Sequence, residues 1–404
     1  MKKDMLYNLA ATALPILVIQ LVILPIVNTK TSQATYGSVI VYWSILNAVP
    51  VMVGNAICNA RLLLDREYSK KNTSGDFNII LIIFAVAASC FMAVIARILE
   101  CGTEEMIFLV ATACAMVLYN YAIVFFRIEI NYKRMLVSNV CMTVGYVIGL
   151  GLFLLGLSWA TVFFLGQVCA LGYLIWITPW RRESFCKTSL IKKCIGVTIS
   201  LMIALLLAGL ATYSDRLVLA PLAGNAVLAV YYIATLVGKL VVMAVGPCSS
   251  VLLSYMVKRD SISEVPVKKY LIVFVLMGSV FWVFACVVAS PVLSLLYPDQ
   301  ANEALAYVPI CTAASVFISG CSMFNALLMR FRDSRWQVMT NGTYFATICV
   351  LTPLFFAYAG LLGYCFAVLL SALVKFILIL LLLYMDIRRG IQKHETKEAL
   401  GVRQ

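Results

Sequence analysis

Lys239 and Lys375 each sit inside a long apolar run, and no Asp or Glu shares such a run with them. A charge at the centre of a bilayer costs about 2.5–3.5 kcal/mol on insertion scales, so an intramembrane lysine normally faces a water-filled path and serves a function. Ammonium groups hold phosphate as point charges. The chemistry these two lysines suggest is transient capture of an anion that the chain itself does not supply. For Lys375, nearer the end of its run, the other use is equally open: a side chain that snorkels to the headgroups or bonds a polar neighbour. Arg61, Arg127 and Arg332 stand at the ends of further runs, where they either receive an incoming anion or simply follow topology.

Neutral and paired groups complete the set. Asn47, Asn120 and Asn325 lie within apolar segments and could bind hydroxyls, although hydrogen bonding between helices is the commoner use. Asp215 and Arg216 are adjacent at the end of an apolar run and read either as a gate or as a helix cap at the interface. Gly246-Pro247, a little over two turns past Lys239, is the best candidate hinge, because proline removes an intrahelical hydrogen bond.

These residues need spanning helices to position them. The chain has 404 residues, 63% hydrophobic, with a mean hydropathy of +0.99, far from soluble proteins. A spanning helix needs about 20 mainly apolar residues, and long continuous runs exclude barrel strands. Spans are expected near 7–27, 38–60, 77–96, 105–126, 135–155, 159–178, 195–213, 227–256, 270–290, 304–328, 338–358 and 361–384. The expected fold is an all-α polytopic membrane protein of about twelve helices. Its expected domains are an N-terminal six-helix bundle over 1–193, a C-terminal one over 194–385 and a tail over 386–404. The first apolar segment lacks a small-residue cleavage pattern and reads as a retained span.

Lys and Arg fall almost entirely on one side: about 26 in the loops and tails of that side against about 3 on the other, which marks it as cytoplasmic and puts both termini there. That dispersal over short loops explains the +13 charge without nucleic acid. Attraction to anionic lipid is a secondary effect. The 14 cysteines form no CxxC pair and mostly lie within spans as small apolar fillers, so no metal is expected. The lone His394 is in the tail and the outer loops are short, so no enzymatic centre is expected on the outer face. No cofactor is implied, and no phosphate-binding loop for ATP appears.

The chain also repeats itself. Tyr119, Asn120, Phe126 and Arg127 recur at constant spacing as Phe324, Asn325, Phe331 and Arg332, each at the end of the fourth span of its half. Gly156 and Gly360 then open the matching sixth and twelfth spans. Six helices per half give two halves of the same orientation, related by a pseudo-twofold axis along the membrane normal, with a cleft between them as the expected path.

Tyr213-Ser214-Asp215-Arg216-Leu217 followed by Tyr231-Tyr232-Ile233-Ala234, Phe125-Phe126-Arg127 leading into a basic turn, and Ala359-Gly360-Leu361-Leu362-Gly363 make the chain resemble a family. The family is that of the polysaccharide and O-antigen flippases of the multidrug/oligosaccharidyl-lipid/polysaccharide (MOP) exporter superfamily. The resemblance implies a V-shaped pair of six-helix bundles in the bacterial inner membrane. Such a protein moves an undecaprenyl-diphosphate-linked oligosaccharide between leaflets by alternating access through a cationic cavity, beside a polysaccharide polymerase and other glycan-assembly proteins. Against that stand an ion-coupled small-molecule antiporter, either a cation-drug exporter or a major-facilitator type, and a membrane glycan enzyme. The antiporters normally use an intramembrane carboxylate, and the sequence shows none inside an expected span.

Overall fold

The computed structural model describes residues 2–69, 75–183, 185–256, 267–331 and 335–399, with only the backbone of 2–6, 69, 241–256, 326, 327, 329–331, 335 and 387–399 included. The described chain is helical. In order it forms α1 (Lys2–Val18), a π-turn (Ile19–Ile23), α2 (Leu24–Lys30), α3 (Gln33–Ala48), α4 (Pro50–Ser69), α5 (Gly75–Ile98), α6 (Thr103–Ala122), α7 (Val124–Ile128), α8 (Tyr132–Leu154) and α9 (Ala160–Ile177). A short 3-10 turn (Pro179–Arg182) leads to α10 (Ile191–Ala223), α11 (Asn225–Met256), α12 (Val267–Leu296), α13 (Ala301–Leu305), α14 (Val308–Phe331) and α15 (Arg335–Ala399). α15 is two helices merged across a break at Ala359 and Gly360.

Ten helices among the described residues are long and apolar enough to cross a membrane. One of them, Trp336–Asp386, holds the break in α15 and so supplies two spans, and α11 adds the apolar segment Asn225–Leu240. The layout accommodates the twelve expected spans. Side chains such as Val273, Leu276, Val280 and Val287 of α12 stay exposed. An apolar surface of that kind suits hydrocarbon rather than water.

By internal contacts the chain divides into Met1–Leu217 and Val218–Gln404, the division falling inside α10. In the first unit Ile57, Phe77, Leu81, Val117 and Tyr121 pack with Cys194 and Met202 of α10. The second has its own cluster, in which Phe324 of α14 meets Phe376, Ile379 and Leu383 of α15, with Phe274 of α12 alongside.

The repeat read from the sequence has a backbone counterpart. Gly156, in the turn just past α8, has φ +104°, and Gly360 breaks α15 at φ +56°, so the two matched glycines both occupy positive φ. A side chain would be strained there although neither site has atoms in the way. The turns before the sixth and twelfth spans therefore depend on glycine itself.

One sequence expectation needs correction. The seventh span was expected to end near residue 213, leaving Asp215 and Arg216 at its edge, but α10 continues to Ala223. Polar residues lowered the local hydropathy without ending the helix, because their side chains are accommodated within the unit. Asp215 and Arg216 therefore lie within α10, two turns before its end, and not at its edge.

Candidate functional site

Lys375 lies on α15, a little over halfway from the break at Gly360 to the end of the apolar stretch at Asp386. Its Nζ donates to Oδ1 of Asn341 at 2.9 Å and stands 5.0 Å from the centre of the Tyr344 ring. Both partners are on the first segment of the same helix pair, so the ammonium bridges the two arms of α15. Among the described residues no carboxylate lies within ion-pair distance of it. An amide oxygen and an aromatic face stabilise a cation without cancelling its charge. Among the described residues nothing cancels the charge that Lys375 carries when protonated.

Lys239 is half-buried on α11. Its Nζ reaches Oγ1 of Thr235, one turn back on the same helix, and lies 4.2 Å from the Tyr232 ring centre. The neighbouring Gly238 lets α11 pack tightly on α14, since a Cβ there would collide with Oγ of Ser315. At Gly238 α11 approaches α14 closely, next to the buried hydroxyl residues Thr312 and Ser315 of that helix. Both intramembrane lysines are thus in the second unit.

Arg61 has a different fate. It is 8% exposed, and its guanidinium forms a two-pronged pair with Glu183 while donating to Oη of Tyr121. The Phe125 ring centre is 4.6 Å from its Cζ. A carboxylate of the chain neutralises this cation, so of the two uses open to Arg61 the pairing favours a structural one over receipt of an anion. Planar bidentate pairing explains why arginine, and not lysine, stands at that position.

Arg127, half-buried, donates to Oδ1 of Asn59 at 3.2 Å and contacts Sγ of Cys58. Those are neutral partners, so its charge is retained. Arg332, its repeat counterpart, falls outside the described residues, and of Gly246 and Pro247 only the helical backbone of α11 is described.

Asp215 and Arg216 are both largely buried, with side-chain exposures of 14% and 10% and an oxygen-to-nitrogen distance of 3.9 Å. Arg216 extends to Oγ of Ser44 on α3 at 3.4 Å and lies over the Tyr213 ring. It is a packed contact between α10 and α3, not a pair at an exposed helix end. Asn47 and Asn120 donate to carbonyls of their own helices, those of Trp43 and Met116, at 2.8 Å each. Asn325 differs from its counterpart Asn120: its Oδ1 is buried and has no hydrogen-bond partner among the described residues. It lies one turn beyond Cys321 on α14.

Sequence reasoning missed Glu183, Asp76 and Asn341. Asp76 is fully buried at the start of α5, accepting from Tyr68 Oη at 2.7 Å and the Thr188 amide at 2.7 Å, an arrangement the helix N-terminus favours. The only sequence signal was a lone acid preceding an apolar run. The described cysteines are all free.

No protein-family model and no curated protein sequence matches this chain. Solved structures do. A multidrug resistance MATE family transporter of the MOP superfamily in its inward-facing conformation aligns with a TM-score of 0.70 at 16% identity, covering 96% of both chains. The fold is that of a MOP-superfamily transporter. An outward-facing MATE structure gives a TM-score of 0.64 at 16% identity, over 96% of this chain and 94% of that one. A MOP-superfamily transporter from Pyrococcus furiosus, described as having a binding pocket of reverse polarity that suggests a different function, gives a TM-score of 0.64 at 16% identity over 95% of this chain and 94% of that one. With its apolar helices, the MOP fold makes this chain a multi-pass membrane protein, and its structural neighbours are transporters.

Proposed function

We propose that the chain is a flippase for an undecaprenyl-diphosphate-linked oligosaccharide, acting in surface-polysaccharide synthesis across the bacterial cytoplasmic membrane with both termini inside. The observation that carries this reading is Lys375, a cation in a spanning helix whose described partners are the neutral Asn341 and Tyr344. A diphosphate and its sugars cannot enter hydrocarbon unaided. A hydrated path lined by Lys375 and Lys239 lowers that barrier while the lipid tail stays in the bilayer. Arg127 offers a further positive charge at its helix end, and the buried Oδ1 of Asn325 has acceptor capacity that a sugar hydroxyl could use once the helices move apart. The cargo is held by charge and released by alternating access of the MOP fold. That a MOP transporter can carry a pocket of reverse polarity is in keeping with a cationic site here.

The second reading is an ion-coupled antiporter of small molecules, favoured by the MATE neighbours and by Asp215 within α10. A cation drug is repelled by Lys375 and Lys239, which is why the anionic cargo is preferred. Reconstituted protein supplied with fluorescent undecaprenyl-diphosphate glycolipid separates the two. Lipid crossing supports the flippase; efflux of a cationic dye without lipid crossing supports the antiporter.

A further inference from the structure

The segment joining α9 to α10 has a one-sided surface. Its acid, Glu183, is drawn inward onto Arg61. Arg181, Arg182, Phe185, Cys186 and Lys187 all stay exposed, Phe185 at 64%. What faces outward is therefore cationic and aromatic, with the negative charge removed from it.

The segment is also fixed in place. Trp180 donates through Nε1 to Oδ1 of Asn78 at 3.0 Å, Thr188 donates its amide to Asp76 at 2.7 Å, and Glu183 grips Arg61. These three ties reach α4 and α5, so the connector is held against the helix ends at both its beginning and its end. Trp176, at the last turn of α9, is 73% exposed. Exposed tryptophan at a helix end marks the headgroup level of a bilayer. Residues only a few positions later lie at that same level.

We infer that this connector is a docking surface for anionic phospholipid headgroups of the adjoining leaflet, with Arg181, Arg182 and Lys187 meeting the lipid phosphates and Phe185 seated among the glycerol backbones. Basic residues close to an anionic leaflet gain favourable energy that falls off within a Debye length. An aromatic side chain beside them adds interfacial burial. The ties to Arg61, Asn78 and Asp76 hold the charges in a fixed plane, so the contact needs little ordering when lipid arrives. This inference goes beyond the flippase reading and does not depend on it.

The test uses the full chain with Cys186 as the only cysteine, labelled with an environment-sensitive fluorophore and reconstituted into vesicles. In phosphatidylcholine with phosphatidylglycerol, the emission should shift to the blue relative to phosphatidylcholine alone. Brominated acyl chains should quench it at least twofold more, and high salt should reverse the change. The triple variant R181Q/R182Q/K187Q alters only exposed side chains and should lose the response. Equal emission in both vesicles, or an undiminished response in the triple variant, overturns the inference. So does reproduction of the shift in phosphatidylcholine vesicles by inorganic phosphate alone, which would point to a site for free anions.

Discussion

The ammonium of Lys375 and the amide oxygen of Asn341 meet at 2.9 Å, joining the two arms of α15 on either side of its break at Gly360. The bond positions the cation yet leaves its charge available. An aspartate in place of Asn341 would cancel that charge; an aliphatic residue would leave it unanchored.

The variant N341D should therefore keep the protein folded and reduce cargo translocation at least tenfold, because a carboxylate takes the place of the diphosphate. N341L should have a smaller effect on rate and a larger one on stability, since it leaves the ammonium of Lys375 without its acceptor. Translocation in vesicles and thermal unfolding in detergent measure the two effects. Equal rates for N341D and the parent would contradict this account of the pair.

Arg61 and Glu183 should behave as structural partners. Removing one member of a buried ion pair costs about 3–5 kcal/mol. Glu183→Gln and Arg61→Ala should each lower the unfolding temperature, and the exchanged pair R61E/E183R should recover part of the loss. Cargo affinity per folded molecule should be unchanged in Glu183→Gln. A loss of affinity at full stability would return Arg61 to the cargo path.

Gly156→Ala and Gly360→Ala should each destabilise by about 1–3 kcal/mol, from backbone strain alone, because a Cβ at either position meets no atom within 4 Å. Gly151→Ala, also without neighbours but at ordinary φ within α8, is the control and should be neutral or slightly stabilising. Unfolding temperatures of the three variants decide it.

Cys101, between α5 and α6, has its thiol pKa raised by burial and by the charge of Glu105. A raised pKa leaves less thiolate at neutral pH, so maleimide labelling of a single-cysteine variant should be slow and should quicken as pH increases. An impermeant reagent should reach Cys101 from outside intact cells and Cys186 only in inverted vesicles. The opposite pattern would reverse the orientation inferred from the basic loops.

Much of the fold was legible because long apolar runs, basic loops and the matched Gly156 and Gly360 are local signals. The lysines were legible for the same reason: a charge stands out in an apolar run. Glu183 was not, since it lies in a polar connector 122 residues from Arg61 and nothing local announces the pairing. Asp215 was misplaced because two adjacent charges read as a helix end, whereas burial against α3 lets α10 pass through them. Asn341 and Asn325 differ from Asn47 and Asn120 only in tertiary surroundings, which spacing along one helix does not reveal.

The most direct test compares Lys375→Gln and Lys375→Arg with the parent for movement of undecaprenyl-diphosphate glycolipid between leaflets of reconstituted vesicles. The account predicts that Lys375→Gln loses at least tenfold in rate with its unfolding temperature preserved, while Lys375→Arg retains a substantial fraction. Parental rates in Lys375→Gln would show that the positive charge beside Asn341 takes no part in carrying the cargo.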